Sequence, residues 1–227
     1  MRSLLLCSVL AVALVAFVPT TAMAGPWTNP SGEADHFWYS NGGDLTGRFG
    51  DPDVYGDTIS FPLTTFQANA FNGGYDSDGD TVSWDVLCKP TFVLDYVIVW
   101  AYGTYAVTGV GTVDADLQVT ISEPSPGRTW TDPLTSYPAF PLSGPPAQSG
   151  FWYGLSEMDL SEVVPAPGEL LHVEMSTLLQ VWTELGGSAE INTQYQDLTL
   201  NFTFVPEPGT LALLGLGLLT LVRRRAH

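Results

Sequence analysis

Basic side chains are nearly missing from the body of this sequence. The 227 residues carry seven Lys and Arg against 24 Asp and Glu, a formal net charge of −17. Four of the seven sit at the ends: Arg2, Arg223, Arg224 and Arg225. Residues 25–205 keep only Arg48, Lys89 and Arg128 against 23 acidic side chains, a formal charge of −20. Nucleic-acid affinity comes largely from Lys and Arg displacing counterions from phosphates, so this deficit excludes nucleic acid as a partner. It also excludes docking on anionic lipid through a basic patch. Cysteine is scarce. Cys7 lies near the start, so Cys88 stands alone in the body and no intrachain disulfide can form there. Histidine is limited to His36, His172 and His227, and the sequence has no G-x-S-x-G elbow, H-E-x-x-H pair or phosphate loop. The body is therefore expected to be non-catalytic. It also lacks a long stretch of helical period.

Long apolar runs are confined to the two ends. The first 24 residues read MRSLLLCSVLAVALVAFVPTTAMA. One basic residue, an apolar run from Leu4 to Val18 and small residues at Ala22 and Ala24 have the order of a secretory signal peptide. Cleavage by signal peptidase is expected between Ala24 and Gly25, after passage through the secretion machinery. The last residues read VPEPGTLALLGLGLLTLVRRRAH. Pro206 and Pro208 oppose regular structure around Glu207 and keep that segment extended. Thr210–Val222 is a short hydrophobic helix candidate, ~20 Å long against a hydrocarbon core of ~30 Å. Arg223, Arg224 and Arg225 would stop transfer and stay cytoplasmic, which puts the body outside.

The order Pro206-Glu207-Pro208, apolar segment, arginine cluster resembles the PEP-CTERM sorting domain. The resemblance covers about the last 23 residues, 205–227. It implies export, a transient inner-membrane anchor, and processing near Pro206-Glu207-Pro208 by exosortase, a membrane transpeptidase. It further implies a bacterial cell surface or extracellular matrix as destination, with exopolysaccharide among the partners.

Between these ends, residues 25–204 form one domain-sized unit. Its pattern has period two. Val113, Ala115, Leu117, Val119 and Ile121 alternate with polar residues, as do Leu198, Leu200, Phe202 and Phe204. Val82, Trp84, Val86 and Cys88 make a third dry face. Phe92–Ala101 is apolar on both faces apart from Asp95 and reads as a central strand. Strands are also expected at Ile59–Phe66 and Leu170–Trp182, the latter broken near Thr177–Gln180 by a bulge or helical turn. Residues 123–149 hold seven prolines and read as an irregular connection with a short edge strand at Arg128–Thr131. These runs, separated by glycine-rich breaks, point to an all-β fold: an antiparallel β-sandwich or jelly roll.

Two constellations could carry chemistry. Asp76, Asp78 and Asp80 alternate around Gly79, and oxygen ligands in a tight loop suit Ca²⁺. The EF-hand positions for Gly and Glu are Thr81 and Leu87 here, so an acidic turn is the competing reading. Trp130 and Trp152 sit in Gly/Pro/Ser-rich surroundings and could stack on sugar rings, whereas Trp84 and Trp100 fit strand faces and read as core. The sequence thus supports an exported, non-catalytic envelope or matrix protein. The alternatives are a carbohydrate-binding module, calcium-stabilised or not, and a glycan hydrolase with an unrecognised carboxylate pair.

Overall fold

The computed structural model describes residues 25–63, 66–124, 127–160 and 168–205. The leader, the Pro206-Glu207-Pro208 motif, the apolar tail segment and Arg223, Arg224 and Arg225 lie outside the described residues, as does Ala24. Among the described residues no helix is long and apolar enough to cross a membrane.

Two antiparallel sheets pack face to face. The first runs in the order β1 (Gly25–Pro26), β3 (Phe37–Asp44), β7 (Tyr75–Cys88), β14 (Leu170–Thr183), β9 (Gly111–Ser122), β10 (Thr129–Pro133). β2 (Gly32–Glu33) pairs with β3, and β12 (Leu142–Gly144) pairs with β9. The second runs β11 (Thr135–Tyr137), β13 (Gln148–Asp159), β8 (Phe92–Thr108), β15 (Ser188–Phe204), β5 (Thr58–Pro62), β4 (Asp53–Tyr55), with β6 (Gln67–Phe71) also on β15. This is the expected sandwich.

The period-two pattern places the core. Val82, Trp84, Val86 and Cys88 on β7 face Val97, Val99 and Ala101 on β8 and Leu198 and Leu200 on β15, all nearly or fully buried. Trp27, Phe61 and Trp84 meet with ring centroids 5.7–5.9 Å apart, joining the two sheets. Such aromatic pairs add ~1 kcal/mol each to the burial of their area.

Four connections carry the chain between the sheets at one pole: β6 to β7, β8 to β9, β12 to β13, and β14 to β15. Asn72 and Gly73 form the first at φ 53° and 86°, the pair of positive values a tight primed turn requires. The turns brace one another: Asn72 N–H donates to the Gly187 carbonyl and Glu184 N–H to that of Val110. β15 ends at the opposite pole, where Val205 N–H donates to the Thr91 carbonyl.

Two sequence expectations change. β14 is unbroken and keeps register with β7 and β9 along its length. Thr177 breaks the apolar alternation because its buried hydroxyl donates to Gln196 Oε1 at 3.0 Å, not because the strand bulges. The proline-rich stretch contains three short strands, β10, β11 and β12, and β10 is the anticipated edge strand displaced by about one residue.

Candidate functional site

Sheet parity and one bulge build an aromatic row on the outer face of the second sheet. Tyr137 pairs with Tyr153, Tyr153 with Tyr102, and Tyr102 with Tyr195. Directly paired residues present their side chains on the same face, so four tyrosines from β11, β13, β8 and β15 stand side by side. Pro62 of β5 continues the row. With strands ~4.8 Å apart, the four tyrosines span ~14 Å.

Tyr195 reaches this face through a register shift between Thr193 and Tyr195. Before it, Ala189, Ile191 and Thr193 point inward; after it, Gln196, Leu198 and Leu200 do. The extra residue, Gln194, reverses the parity of β15, as a one-residue slip must.

The row has aromatic neighbours. Trp100 is 45% exposed and Phe151 67% exposed. Trp100 lies 6.4 Å from Tyr153, Phe151 stacks on Tyr102 at 5.7 Å with an interplanar angle of 19°, and Tyr137 lies 5.4 Å from Tyr153. At the far side, the Tyr55 and Tyr195 hydroxyls are 3.3 Å apart. Beside the rings are amides and carboxylates. Gln67 Nε2 donates to Asn69 Oδ1 and to Glu190 Oε1, and Tyr96 donates its hydroxyl to Glu157 Oε2. One end of the row opens into a pocket of about 470 Å³ lined by Tyr137, Tyr153, Asp132 and Glu157 among others.

Asp197 lies within this face, paired with Trp100 on one side and Ser60 on the other. Burial pushes its carboxyl above the usual carboxylate range, opposed by the hydroxyls of Ser60, Tyr195 and Tyr55. The Tyr55 hydroxyl is pushed up to about 12, first by its hydrogen bond to Tyr195 and then by burial.

The tryptophans picked from sequence are elsewhere. Trp152 is 0% exposed, and its indole Nε1 donates to the Asn192 carbonyl at 2.9 Å across Gly103. Trp130 packs partly against the core with the Arg128 guanidinium 5.2 Å from its ring centre. Neither is an open stacking surface. Trp100, read from sequence as core, is on the outside. The signal was present: in Phe151-Trp152-Tyr153 an inward Trp152 forces both neighbours outward, and the second apolar face of Phe92–Ala101 is the exposed one.

Asp76, Asp78 and Asp80 do not form a loop. They lie at the start of β7, two residues and so ~7 Å apart. Each takes backbone N–H groups from an adjoining segment: Asn69 onto Asp76, Gln67 onto Asp78, and Thr46 and Arg48 onto Asp80. The Arg48 guanidinium also meets Asp78 at 3.1 Å. Among the described residues no group of three His, Cys, Asp or Glu is placed to hold a metal ion. These aspartates therefore fasten the 45–50 loop and β6 to β7.

The remaining reactive side chains are spread out. His172 Nδ1 is 2.8 Å from Asp85 and His36 Nδ1 is 2.6 Å from Asp57, on different parts of the molecule. Cys88 is buried, and burial pushes its thiol up to about 11. The adjacent Lys89 does not activate it, because its ammonium is held by Glu33 and the carbonyls of Ala34 and Asp35.

Among curated proteins, none matches this chain in sequence. The solved structures it is similar to include TmCBM61 in complex with beta-1,4-galactotriose, at 11% identity and a TM-score of 0.23. That match covers 77% of this chain and 97% of the other. Another is the infectious bursal disease virus Gx strain, at 12% identity and a TM-score of 0.25, covering 70% of this chain and 45% of the other. Neither likeness carries an argument about function. The family comparison is specific to the tail: residues 204–226 match the PEP-CTERM protein-sorting motif.

Proposed function

We propose that this is an exported, non-catalytic protein of the bacterial cell surface or extracellular matrix that binds polysaccharide on the outer face of its second sheet. The sorting motif at 204–226 supports export and processing by exosortase. The row Tyr137–Tyr153–Tyr102–Tyr195 carries the glycan reading. A pyranose ring has an apolar C–H face and a rim of hydroxyls. Solvent-open rings take up the first, while planar amides and carboxylates such as Asn192, Gln67, Glu190 and Glu157 bond the second. A protein core has no use for such rings, and a sheet exposing them invites aggregation unless a ligand covers them.

The direct test is affinity electrophoresis or calorimetry of the protein on a panel of polysaccharides. Trp100→Ala and Tyr153→Ala should each weaken binding ~5- to 10-fold, the loss of ~1 kcal/mol of stacking, with little change in melting temperature. Trp130→Ala should leave affinity unchanged. Binding that survives loss of both Trp100 and Tyr153 rejects the platform.

The pocket holding Asp132 and Glu157 favours a second reading, hydrolysis by a carboxylate pair. Release of reducing ends from a bound glycan, abolished by Glu157→Gln, would establish it.

A further inference from the structure

The charges around the aromatic row carry an inference about its ligand, which rests on the glycan reading above. The three basic side chains of the described residues are engaged away from this face. Arg48 meets Asp78 below the 45–50 loop, Lys89 meets Glu33 and lies over Trp38, and Arg128 meets Glu123 and lies over Trp130. The face itself carries only negative charge. Glu157 and Asp159 share the outward parity of Phe151 and Tyr153 on β13, Glu190 and Asp197 are outward on β15, and Asp132 lines the end pocket with Glu157. Ser156 donates its hydroxyl to Asp132 Oδ2 at 2.5 Å, which holds that carboxylate in place at the pocket.

Both parts of this surface discriminate by charge in the same direction. An aromatic ring is negative on its face and attracts a cation placed over it. Carboxylates around the rings add a field that repels uronate, sulfate or phosphate groups and draws in ammonium. A neutral glycan is tolerated but uses none of the carboxylates at full strength. A glycan with protonated amines uses both the rings and the carboxylates.

We propose that the ligand is a polysaccharide bearing free amino groups, a polymer of hexosamine units. Its sugar rings stack along Tyr137, Tyr153, Tyr102 and Tyr195, and its ammonium groups meet Asp132 and Glu157 in the end pocket and Glu190 beside the row.

The test compares oligomers of glucosamine and of N-acetylglucosamine, matched in length and linkage, with an oligo-uronate as the anionic probe. The full chain is purified in detergent and binding is measured by calorimetry at about pH 6, where the amine is protonated and most carboxylates are charged. The glucosamine oligomer should bind about tenfold more tightly than its acetylated form, the fold-change of two or three exposed ion contacts. The gap should narrow as salt is raised, and the oligo-uronate should not bind. Asp132→Asn with Glu157→Gln should close most of the gap, weakening the glucosamine oligomer far more than the acetylated one. A circular-dichroism melt confirms that this variant is folded.

Equal affinity for the two oligomers, or tighter binding of the oligo-uronate, overturns the amino-sugar proposal. If the acetylated oligomer then still loses affinity in Trp100→Ala and Tyr153→Ala, the glycan reading stands without it. Glucosamine binding indifferent to both ring substitutions also overturns the proposal, since it would be adsorption of a polycation to an acidic protein. No binding of any of these oligomers also overturns the amino-sugar proposal, and the polysaccharide panel then decides the glycan reading by itself.

Discussion

At the scale of single residues, a few buried polar atoms of this sandwich lack a hydrogen-bond partner, among them Trp27 Nε1, Trp84 Nε1 and Asp197 Oδ1. Asp197 is the least comfortable of them. Its folded-state affinity for a proton is raised by burial, so the native state holds a proton at pH values where the unfolded chain has released it. Stability therefore falls as pH rises from the ordinary carboxylate range, about 3.9, through the folded value, and the penalty persists at neutral pH. Asp197→Asn should raise the melting temperature at pH 7, and the difference from the native protein should vanish on acidification below ~3.9. A melt series against pH checks this. A variant less stable at pH 7 would mean that the charged carboxylate is held by the hydroxyls of Ser60, Tyr55 and Tyr195 more strongly than burial opposes it.

At the scale of elements, the outer aromatic face depends on how β13, β8 and β15 fit together beneath it. Trp152 points inward under the tyrosine row and crosses β8 to reach the Asn192 carbonyl, next to the shift in β15. Gly103 makes that crossing feasible. A Cβ there would stand 1.8 Å from the Asn192 carbonyl oxygen and 2.6 Å from Trp152 Nε1. Gly103→Ala should therefore cost ~3 kcal/mol or more, through backbone displacement and loss of the buried indole hydrogen bond. Chemical denaturation measures the cost. A loss below ~1 kcal/mol would show that the strands can separate at this point without consequence. The same strands explain a limit on reading the sequence. Phe92–Ala101, apolar on both sides, has the pattern of a strand covered twice, yet while Val97, Val99 and Ala101 are buried, Trp100 between them opens to solvent. Periodicity reports which residues share a face and not what, if anything, lies over it.

At the scale of the whole molecule, the point where the described chain ends and the tyrosine row have a defined relation. The described chain leaves the sandwich at Val205, at the end of β15, while Tyr195 lies about ten residues back, ~30 Å up the strand. The tyrosine row runs across the strands. A polysaccharide on it would thus lie parallel to any surface from which the chain rises along β15. Residues 204–226 match the sorting motif, and the processing proposed there has its own test. Glu207→Ala in the native host should leave the tail uncleaved and the protein in the inner-membrane fraction, detected as a small increase in mass and a change in fractionation. Normal processing of this variant would refute exosortase dependence.

The sequence by itself determined the class of fold and the address. Alternation of apolar and polar residues depends only on neighbours two apart, and the sorting motif is one contiguous run, 204–226. The aspartates of β7 and the tryptophans show where that local logic stops. Asp76, Asp78 and Asp80 have the composition of a turn, but strand pairing with β14 and the N–H groups of two adjoining segments hold them extended. Trp130, Trp152 and Trp100 are chemically alike, and only the packing of the sheets decides which ring meets solvent. The tyrosine row is wholly a product of tertiary structure. Its four members come from positions 102, 137, 153 and 195, brought together by three strand registers and one inserted residue.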